Sequence, residues 1–146
     1  MMNVLKFGGT SVGSAQNIRK VVEILGVTEN PKIVVLSAMS GVTNMLVSLN
    51  QASIDKNSAA IQEVLAQLKA KHYEAIADLF SAENQPEAQM QIDRFLGDLE
   101  QIATSGRTLT TYAELVTYGE TMLTWIFSRY LTQQGESNVL LNASSF

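Results

Sequence analysis

The chain has 146 residues, of which 46% are hydrophobic and 16% charged, a composition typical of one globular domain with a sizeable apolar core. Its net charge is −4 and its ten basic residues are scattered along the sequence, which argues against nucleic acid as a partner. The chain has no cysteine, one histidine, no apolar run long enough to span a membrane and no secretory signal, so we expect a cytoplasmic protein without a membrane anchor or the usual zinc site.

Two short apolar segments flank the first predicted helix. Asn3–Phe7 and Lys32–Ser37 predict parallel strands that are buried on both faces of a sheet. Between them, with Ser14 as the expected N-cap, apolar residues recur at the spacing of an amphipathic helix: Ile18, Val21, Val22 and Leu25. A β-α-β crossover is almost always right-handed, so the loops at 8–14 and 37–43 should be neighbours at one edge of the sheet.

Helical patterns dominate the next hundred residues. A second helix is predicted from Val42, and two long amphipathic helices follow, separated by a break in which Pro86 suits a first helical turn. His72 falls in the first of these long helices, and we interpret it as a surface or half-buried residue rather than a ligand. A further helix is predicted from Thr111, whose capping box reaches Glu114.

The end of the chain predicts a return to the sheet, with a third strand at Asn138–Leu141. The elements therefore divide into a β-α-β-α part (1–54), a helical insertion (55–106) and a helix with a strand (107–146). Three short strands would leave sheet edges unpaired, so we expect the chain to be a fragment of a larger α/β domain.

The sequence KFGGTSVGS, residues 6–14, has the composition of a phosphate-binding loop between a strand and a helix. Its glycines, Gly8 and Gly9, let the backbone approach an anion, and the following helix presents its positive end. Thr10 and Ser11 add hydroxyl groups, and Lys6 adds a positive charge. The spacing matches neither the P-loop nor the dinucleotide-binding motif. The alternative is that the glycines only form a tight turn and the lysine points to solvent.

A second loop, SAMSGVTN at residues 37–44, repeats this composition before the second helix. Ser37, Ser40 and Thr43 supply hydroxyl groups and Gly41 gives access to the backbone. Two such loops side by side suit a pair of ligands, one with phosphates and one a polar acceptor. The alternative is an ordinary serine or threonine cap for the helix at Val42.

Glu120 is a further candidate, because it follows Gly119 inside a largely apolar helix. A glycine in the middle of a helix costs about 1 kcal/mol relative to alanine, which indicates close packing or ligand approach. The carboxylate could bind a substrate ammonium group. The alternative is a solvated glutamate on the polar side of the helix.

The segments KFGGTSVGS, VVLSAMSGVTN and ELVTYGETM, in this order and with a helical insertion between the last two, resemble the amino-terminal part of aspartokinases across essentially the whole chain. The resemblance implies the amino acid kinase fold, a three-layer α/β/α sandwich, represented here by the first half of its sheet and an inserted helical hairpin. It also implies transfer of the γ-phosphate of ATP, with Mg²⁺, to the side-chain carboxylate of L-aspartate. The product would be 4-phospho-L-aspartate, for lysine, threonine and methionine synthesis, and the parent protein would be a homo-oligomer.

The resemblance also implies roles for individual residues. Lys6 would be catalytic, offsetting charge on the transferred phosphate. The implied nucleotide-binding residues are Lys6, Phe7, Gly8, Gly9, Thr10 and Ser11. Ser37 and Thr43 would bind aspartate, and Glu120 would bind its α-ammonium group. No metal-ligating side chain is implied.

The end of the chain departs from the family pattern. The family's Arg-Gly-Gly-Ser-Asp-type motif and its regulatory ACT domains have no counterpart here, and the closing NASSF differs from the expected Asp-Ala-Arg-Asp-type sequence. We therefore expect the 146 residues alone to lack measurable kinase activity. Two other functions stay open: a related kinase acting on glutamate, acetylglutamate or carbamate, and a non-catalytic helical interaction module.

Overall fold

The computed structural model describes residues 2–29, 31–105 and 111–141, which form a two-stranded parallel sheet and five helices. In chain order the elements are β1 (Asn3–Phe7), α1 (Ala15–Gly26), β2 (Lys32–Leu36), α2 (Val42–Ile54), α3 (Ser58–Leu79), α4 (Gln85–Ala103) and α5 (Thr111–Gln133). The helices predicted from apolar periodicity are therefore confirmed. Pro86 lies in the first turn of α4 as predicted, and the residues directly before α5 lie outside the described ones.

The predicted β-α-β unit is confirmed. β1 and β2 pair in parallel from Asn3 opposite Lys32 to Phe7 opposite Leu36, and α1 connects them. Ser14 caps α1, because its backbone is extended and its side chain accepts a hydrogen bond from the N–H of Asn17 at 3.3 Å. The segments that follow the two strands consequently leave the same edge of the sheet.

The prediction that both strands are buried on both faces is wrong for the described part of the chain. Leu36 is buried, and Leu5, Phe7 and Val34 pack against the core, whereas the alternate residues are open to solvent. The exposed fractions on this second face are 65% for Val4, 37% for Ile33 and 42% for Val35. An apolar run makes both faces of a strand suitable for burial, but a face is buried only where a second layer covers it.

The predicted third strand at Asn138–Leu141 is also not formed. Val139 is 82% exposed, and the Asn138 side chain is bonded to the end of α5 instead. It accepts a hydrogen bond from the Ser128 hydroxyl at 2.5 Å and donates one to the Thr132 hydroxyl at 3.2 Å. A strand needs a partner strand to satisfy its backbone groups, and no described segment pairs with these residues. The closing segment at 142–146 lies outside the described residues.

Helices α2 to α5 pack as a group of four, in which α2 and α4 each contact the three other helices. The predicted hairpin, α3 and α4, is present and packs against α2 and α5. One apolar core joins this group to α1 and the sheet. Its largest fully buried side chains are Ile18, Leu46, Leu49, Leu68, His72, Ile76, Ile92, Leu99, Leu115, Met122, Leu123 and Ile126. None of the described helices combines the length and the apolar character that a membrane crossing requires.

His72 is part of this core, so its predicted surface or half-buried position is wrong. Its side chain is completely buried, with Nδ1 2.7 Å from the carbonyl oxygen of Leu68 and Nε2 without a hydrogen-bond partner. Helical spacing explains the position, because Leu68 and Ile76 lie four residues to either side and are buried on the same stripe. Burial lowers the pKa of His72, although the bond to Leu68 opposes the shift.

Candidate functional site

The first glycine-rich segment, here called loop A (residues 8–14), is fixed by a hydrogen bond within the loop, by one from α1 and by a buried side chain. The Gly8 carbonyl accepts a hydrogen bond from the N–H of Ser11 at 3.0 Å, which closes a turn. The Asn17 side chain reaches back from α1 and donates to the Thr10 carbonyl at 2.9 Å. Val12 is fully buried and anchors the loop in the core. Loop A therefore has a defined shape before any ligand binds.

Loop A presents hydrogen-bond donors to solvent. The N–H groups of Gly9 and Thr10 donate to no acceptor among the described residues, and the Thr10 and Ser11 side chains are exposed. The first turn of α1 contains no acidic residue. Free amide donors beside a helix N-terminus favour a bound anion, so the loop has the chemistry of a phosphate site.

The second segment, loop B (residues 37–41), leads into α2. Its N–H at Ser37 donates to the Phe7 carbonyl at 3.1 Å, and Ala38 and Met39 are buried. Gly41 is the N-cap of α2 with a φ of 85°, and no side chain caps this helix. This left-handed conformation is strained for residues with a Cβ, which explains the glycine.

The capping geometry decides between the two interpretations of loop B. The alternative prediction, an ordinary serine or threonine cap for α2, is wrong, because Gly41 occupies the cap position and no side chain caps the helix. The side chains of Ser40 and Thr43 are exposed, and that of Ser37 is half-buried. These hydroxyl groups are therefore available to a ligand.

Loops A and B are in direct contact, as the β-α-β order predicts. A Cβ atom added to Gly13 would lie 2.8 Å from the Cβ of Ser40, closer than real Cβ contacts allow. A Cβ added to Gly9 would lie 3.3 Å from the carbonyl oxygen of Ala38. The glycines of loop A thus let its backbone lie against loop B without intervening side chains.

Lys6 and Phe7 precede loop A and point to opposite faces of the sheet. Lys6 is exposed on the open face, opposite Val35 in register, and forms no ion pair with another described residue. The Phe7 side chain packs against the core, so only its backbone faces the loops. A ligand contact at Phe7 would therefore be made by backbone atoms.

Glu120 lies on α5, the third element at this edge. Its side chain is exposed, and the preceding residue, Gly119, is buried against Ala38 of loop B. The structure thus brings loop A, loop B and this part of α5 together. No hydrogen bond or ion pair among the described residues joins Lys6, Thr43 or Glu120 to another predicted site residue.

Two contributors to this site were missed by the sequence analysis. Asn17 had a signal, because it follows Ser14 by three residues, the spacing at which side chains return to a helix N-terminus. Ala38 had none, since its contacts with loop A and α5 depend on tertiary packing. Two cavities are lined by other residues, one of about 450 Å³ beside Tyr118 and one of about 280 Å³ beside Arg129. No group of three acidic, histidine or cysteine side chains within residues 2–29, 31–105 and 111–141 could hold a metal ion.

Comparison with known proteins gives concordant matches. The family model described as "Amino acid kinase family" matches residues 1–146. An aspartokinase of Chlamydia muridarum is 32% identical, over 98% of this chain and 32% of its own length. Aspartokinase III of E. coli superposes with a TM-score of 0.81 at 27% identity in its complex with lysine and aspartate, covering 93% of this chain and 30% of that one. Its complex with aspartate and ADP superposes with a TM-score of 0.80 at the same identity, over 92% and 30%.

The chain spans about a third of the length of these relatives. The superposition confirms the predicted fold class, because 93% of this chain aligns with part of a solved aspartokinase. Since the family model matches the whole sequence, this chain belongs to the amino acid kinase family.

Proposed function

We propose that these residues form the phosphate-binding and acceptor-binding part of an aspartate kinase, which transfers the γ-phosphate of ATP to the side-chain carboxylate of L-aspartate. The products are 4-phospho-L-aspartate and ADP. The observation that supports the proposal is the contact between loops A and B, because a glycine-rich loop with free amide donors then lies beside a hydroxyl-rich loop. The complex of E. coli aspartokinase III with aspartate and ADP supports this pair of ligands.

Loop A binds the nucleotide phosphates in this proposal. The free N–H groups of Gly9 and Thr10 donate to phosphate oxygens, and Gly8 lets the backbone approach them. The Thr10 and Ser11 hydroxyls complete the loop, and Phe7 contributes backbone atoms. Lys6 is the catalytic residue, because its ammonium group offsets the negative charge of the transferring phosphoryl group.

Loop B and α5 bind the acceptor. Ser37 and Thr43 bind aspartate through their hydroxyl groups, and Glu120 binds its α-ammonium group. The side-chain carboxylate of aspartate is already ionised at neutral pH, so it attacks the γ-phosphorus without a general base. Catalysis then depends on positioning and on charge stabilisation.

Among the described residues, no three acidic, histidine or cysteine side chains lie together so that they could hold a metal ion. Mg²⁺ in phosphoryl-transfer enzymes is bound by one or two carboxylates together with substrate phosphates, whereas the donors on loops A and B are amides and hydroxyls. We therefore assign no Mg²⁺ ligand to this chain and no step to the metal. The division into residues 1–54, 55–106 and 107–146, the cytoplasmic location and the homo-oligomeric state stay predictions.

The test is an ADP-release assay on the complete polypeptide that contains these residues. We expect ADP formation that depends on aspartate, and Lys6→Ala should lower kcat by roughly 10²–10³-fold, as for other residues that stabilise transition-state charge. Lys20→Ala is the matched control, because Lys20 is an exposed lysine on α1, away from the loops. Its kcat should equal that of the unaltered protein.

The same assay discriminates the alternatives. Turnover with glutamate or acetylglutamate instead of aspartate would assign the protein to another kinase of the family. Absence of ADP release with each of these acceptors would favour the non-catalytic helical module and contradict the proposal. Equal ADP release by Lys6→Ala and Lys20→Ala would contradict it too.

A further inference from the structure

Gly119 has no room for a side chain. It is buried in the middle of α5, and a Cβ atom at this position would lie 2.9 Å from the Cβ of Ala38 and 3.1 Å from Cδ1 of Leu46. A third neighbour, Cγ1 of Val42, would lie at 3.4 Å. Real Cβ atoms essentially never approach within 3.0 Å, so any larger residue would force α5 away from loop B or displace the loop.

Helix α5 cannot yield to such a clash by rolling. Leu115, Met122 and Ile126 are fully buried on both sides of Gly119 and fix the helix in the core. Closely packed interiors transmit a displacement to their neighbours rather than absorb it. The clash would therefore be relieved mainly at Ala38, the point of closest approach.

Ala38 lies between the elements that build the proposed site. Its Cβ faces Gly119 on α5, and its carbonyl oxygen lies 3.3 Å from the position that a Cβ at Gly9 of loop A would take. Ala38 directly follows Ser37, and Gly119 directly precedes Glu120. One contact thus joins the neighbours of two proposed aspartate-binding residues.

We propose that Gly119 is a positioning residue of the acceptor site, whose missing side chain sets the separation between Glu120 and loop B. The inference rests on the proposed function and deepens it. Aspartate is short, so its α-ammonium group and its carboxylates can be separated only over a narrow range of distances, and the groups that bind its two ends must be held within that range. Gly119 touches neither substrate; it acts through the placement of α5 against Ala38.

The test compares four variants of the complete polypeptide in the ADP-release assay. Gly119→Ala introduces the clash, and we expect the KM for aspartate to rise about tenfold or more, since misplacements near 1 Å are costly. The KM for ATP should rise several-fold less, through the contact of Ala38 with Gly9 of loop A. Adding Ala38→Gly to Gly119→Ala removes the closest atom and should restore the KM for aspartate to within about threefold of the unaltered value. Ala38→Gly alone opens a gap at the same contact and should raise the KM for aspartate by a few-fold.

Gly97→Ala is the matched control. Gly97 is also a glycine inside a helix, but a Cβ there would meet nothing within 4 Å. We expect unchanged KM values for both substrates. Thermal unfolding of each variant separates an altered site from an unfolded protein.

The outcomes separate this inference from the proposed function. No aspartate-dependent turnover in the unaltered protein would overturn the proposed function. In an active protein, an unchanged KM for aspartate in Gly119→Ala would overturn the positioning role alone, and so would an equal rise in both KM values. If Gly119→Ala does not fold, the positioning role depends on Ala38→Gly and is overturned when that variant has unaltered kinetics.

Discussion

His72 is the only histidine in the chain, and its protonation is easy to follow because no other imidazole interferes. Its Nδ1 lies 2.7 Å from the Leu68 carbonyl, which can only accept, so this nitrogen carries the proton of the neutral ring. Nε2 is then a buried acceptor without a partner. A second proton on the ring would place an unpaired positive charge in the apolar core.

This arrangement predicts a loss of stability at mildly acidic pH. Burial lowers the pKa of folded His72 below its ordinary value of 6.5, whereas the unfolded chain keeps that value. The unfolded state therefore binds more protons as the pH falls below 6.5, and the free energy of unfolding decreases by up to about 1.4 kcal/mol per pH unit until the folded pKa is reached. Urea unfolding between about pH 7.5 and about pH 5 measures this slope.

His72→Leu supplies the control for that measurement. Leucine places an apolar side chain on the buried stripe and removes the titrating group. We expect the variant to lose the histidine's share of the slope. Identical slopes in both proteins would show that His72 does not control the acid response.

At the scale of elements, the turn between α2 and α3 contains a backbone conformation that its residue disfavours. Lys56 has a φ of 52°, in the left-handed region. The N–H of Asn57 donates to the Ala52 carbonyl at 3.0 Å and that of Lys56 to the Ser53 carbonyl at 3.1 Å, the pattern of a Schellman motif with Lys56 at C′. Glycine is the usual residue there because it has no Cβ.

Lys56→Gly should therefore stabilise the protein. The relief of strain exceeds the added entropy of the unfolded chain, and we expect a gain of about 0.5–1 kcal/mol in the free energy of unfolding. Lys20→Gly, in the exposed part of α1, should instead cost about 1 kcal/mol. Denaturant titration of both variants tests the contrast, and a loss of stability in Lys56→Gly would contradict it.

Helices were predictable from sequence to a greater extent than strands. A helix satisfies its backbone within its own segment, so apolar spacing suffices to predict α3 or α4. A strand depends on a distant partner, and the apolar letters of Asn138–Leu141 could not reveal that none of the described segments pairs with it. The same dependence explains why burial of Val4 and Val35 on both faces was predicted and is not observed.

The site was predictable in outline. Handedness of the β-α-β unit was enough to predict that loops A and B lie together, whereas the left-handed φ of Gly41 was not predicted. The distances at Gly13 and Gly119 were not predictable, because they depend on how closely Ser40 and Ala38 approach in three dimensions.

At the scale of the whole molecule, the open sheet face should govern the solution behaviour of the 146-residue chain. Val4, Ile33 and Val35 are exposed on this face together with Lys6, on strands that each have one described neighbour. Such edges and faces promote association. We expect light scattering to show association that increases with protein concentration. The double variant Val4→Thr/Val35→Thr should raise the concentration at which association begins several-fold.

Val27→Thr is the control for that experiment. Val27 is 87% exposed but lies at the end of α1, outside the sheet. Val27→Thr should leave the concentration at which association begins unchanged. An equal effect of this substitution would show that general surface hydrophobicity, and not the sheet face, drives association.

The shared apolar core links the two loops to the rest of the molecule. A two-stranded sheet is at best marginally stable alone, and Val12 of loop A and Met39 of loop B are buried in the same cluster as the helices. The Arg19 side chain also donates to the Asp78 carbonyl, which connects α1 to the last turn of α3. Heating should therefore melt loops and helices in one cooperative transition, and an anion bound at the glycine turn would protect helices that it never touches.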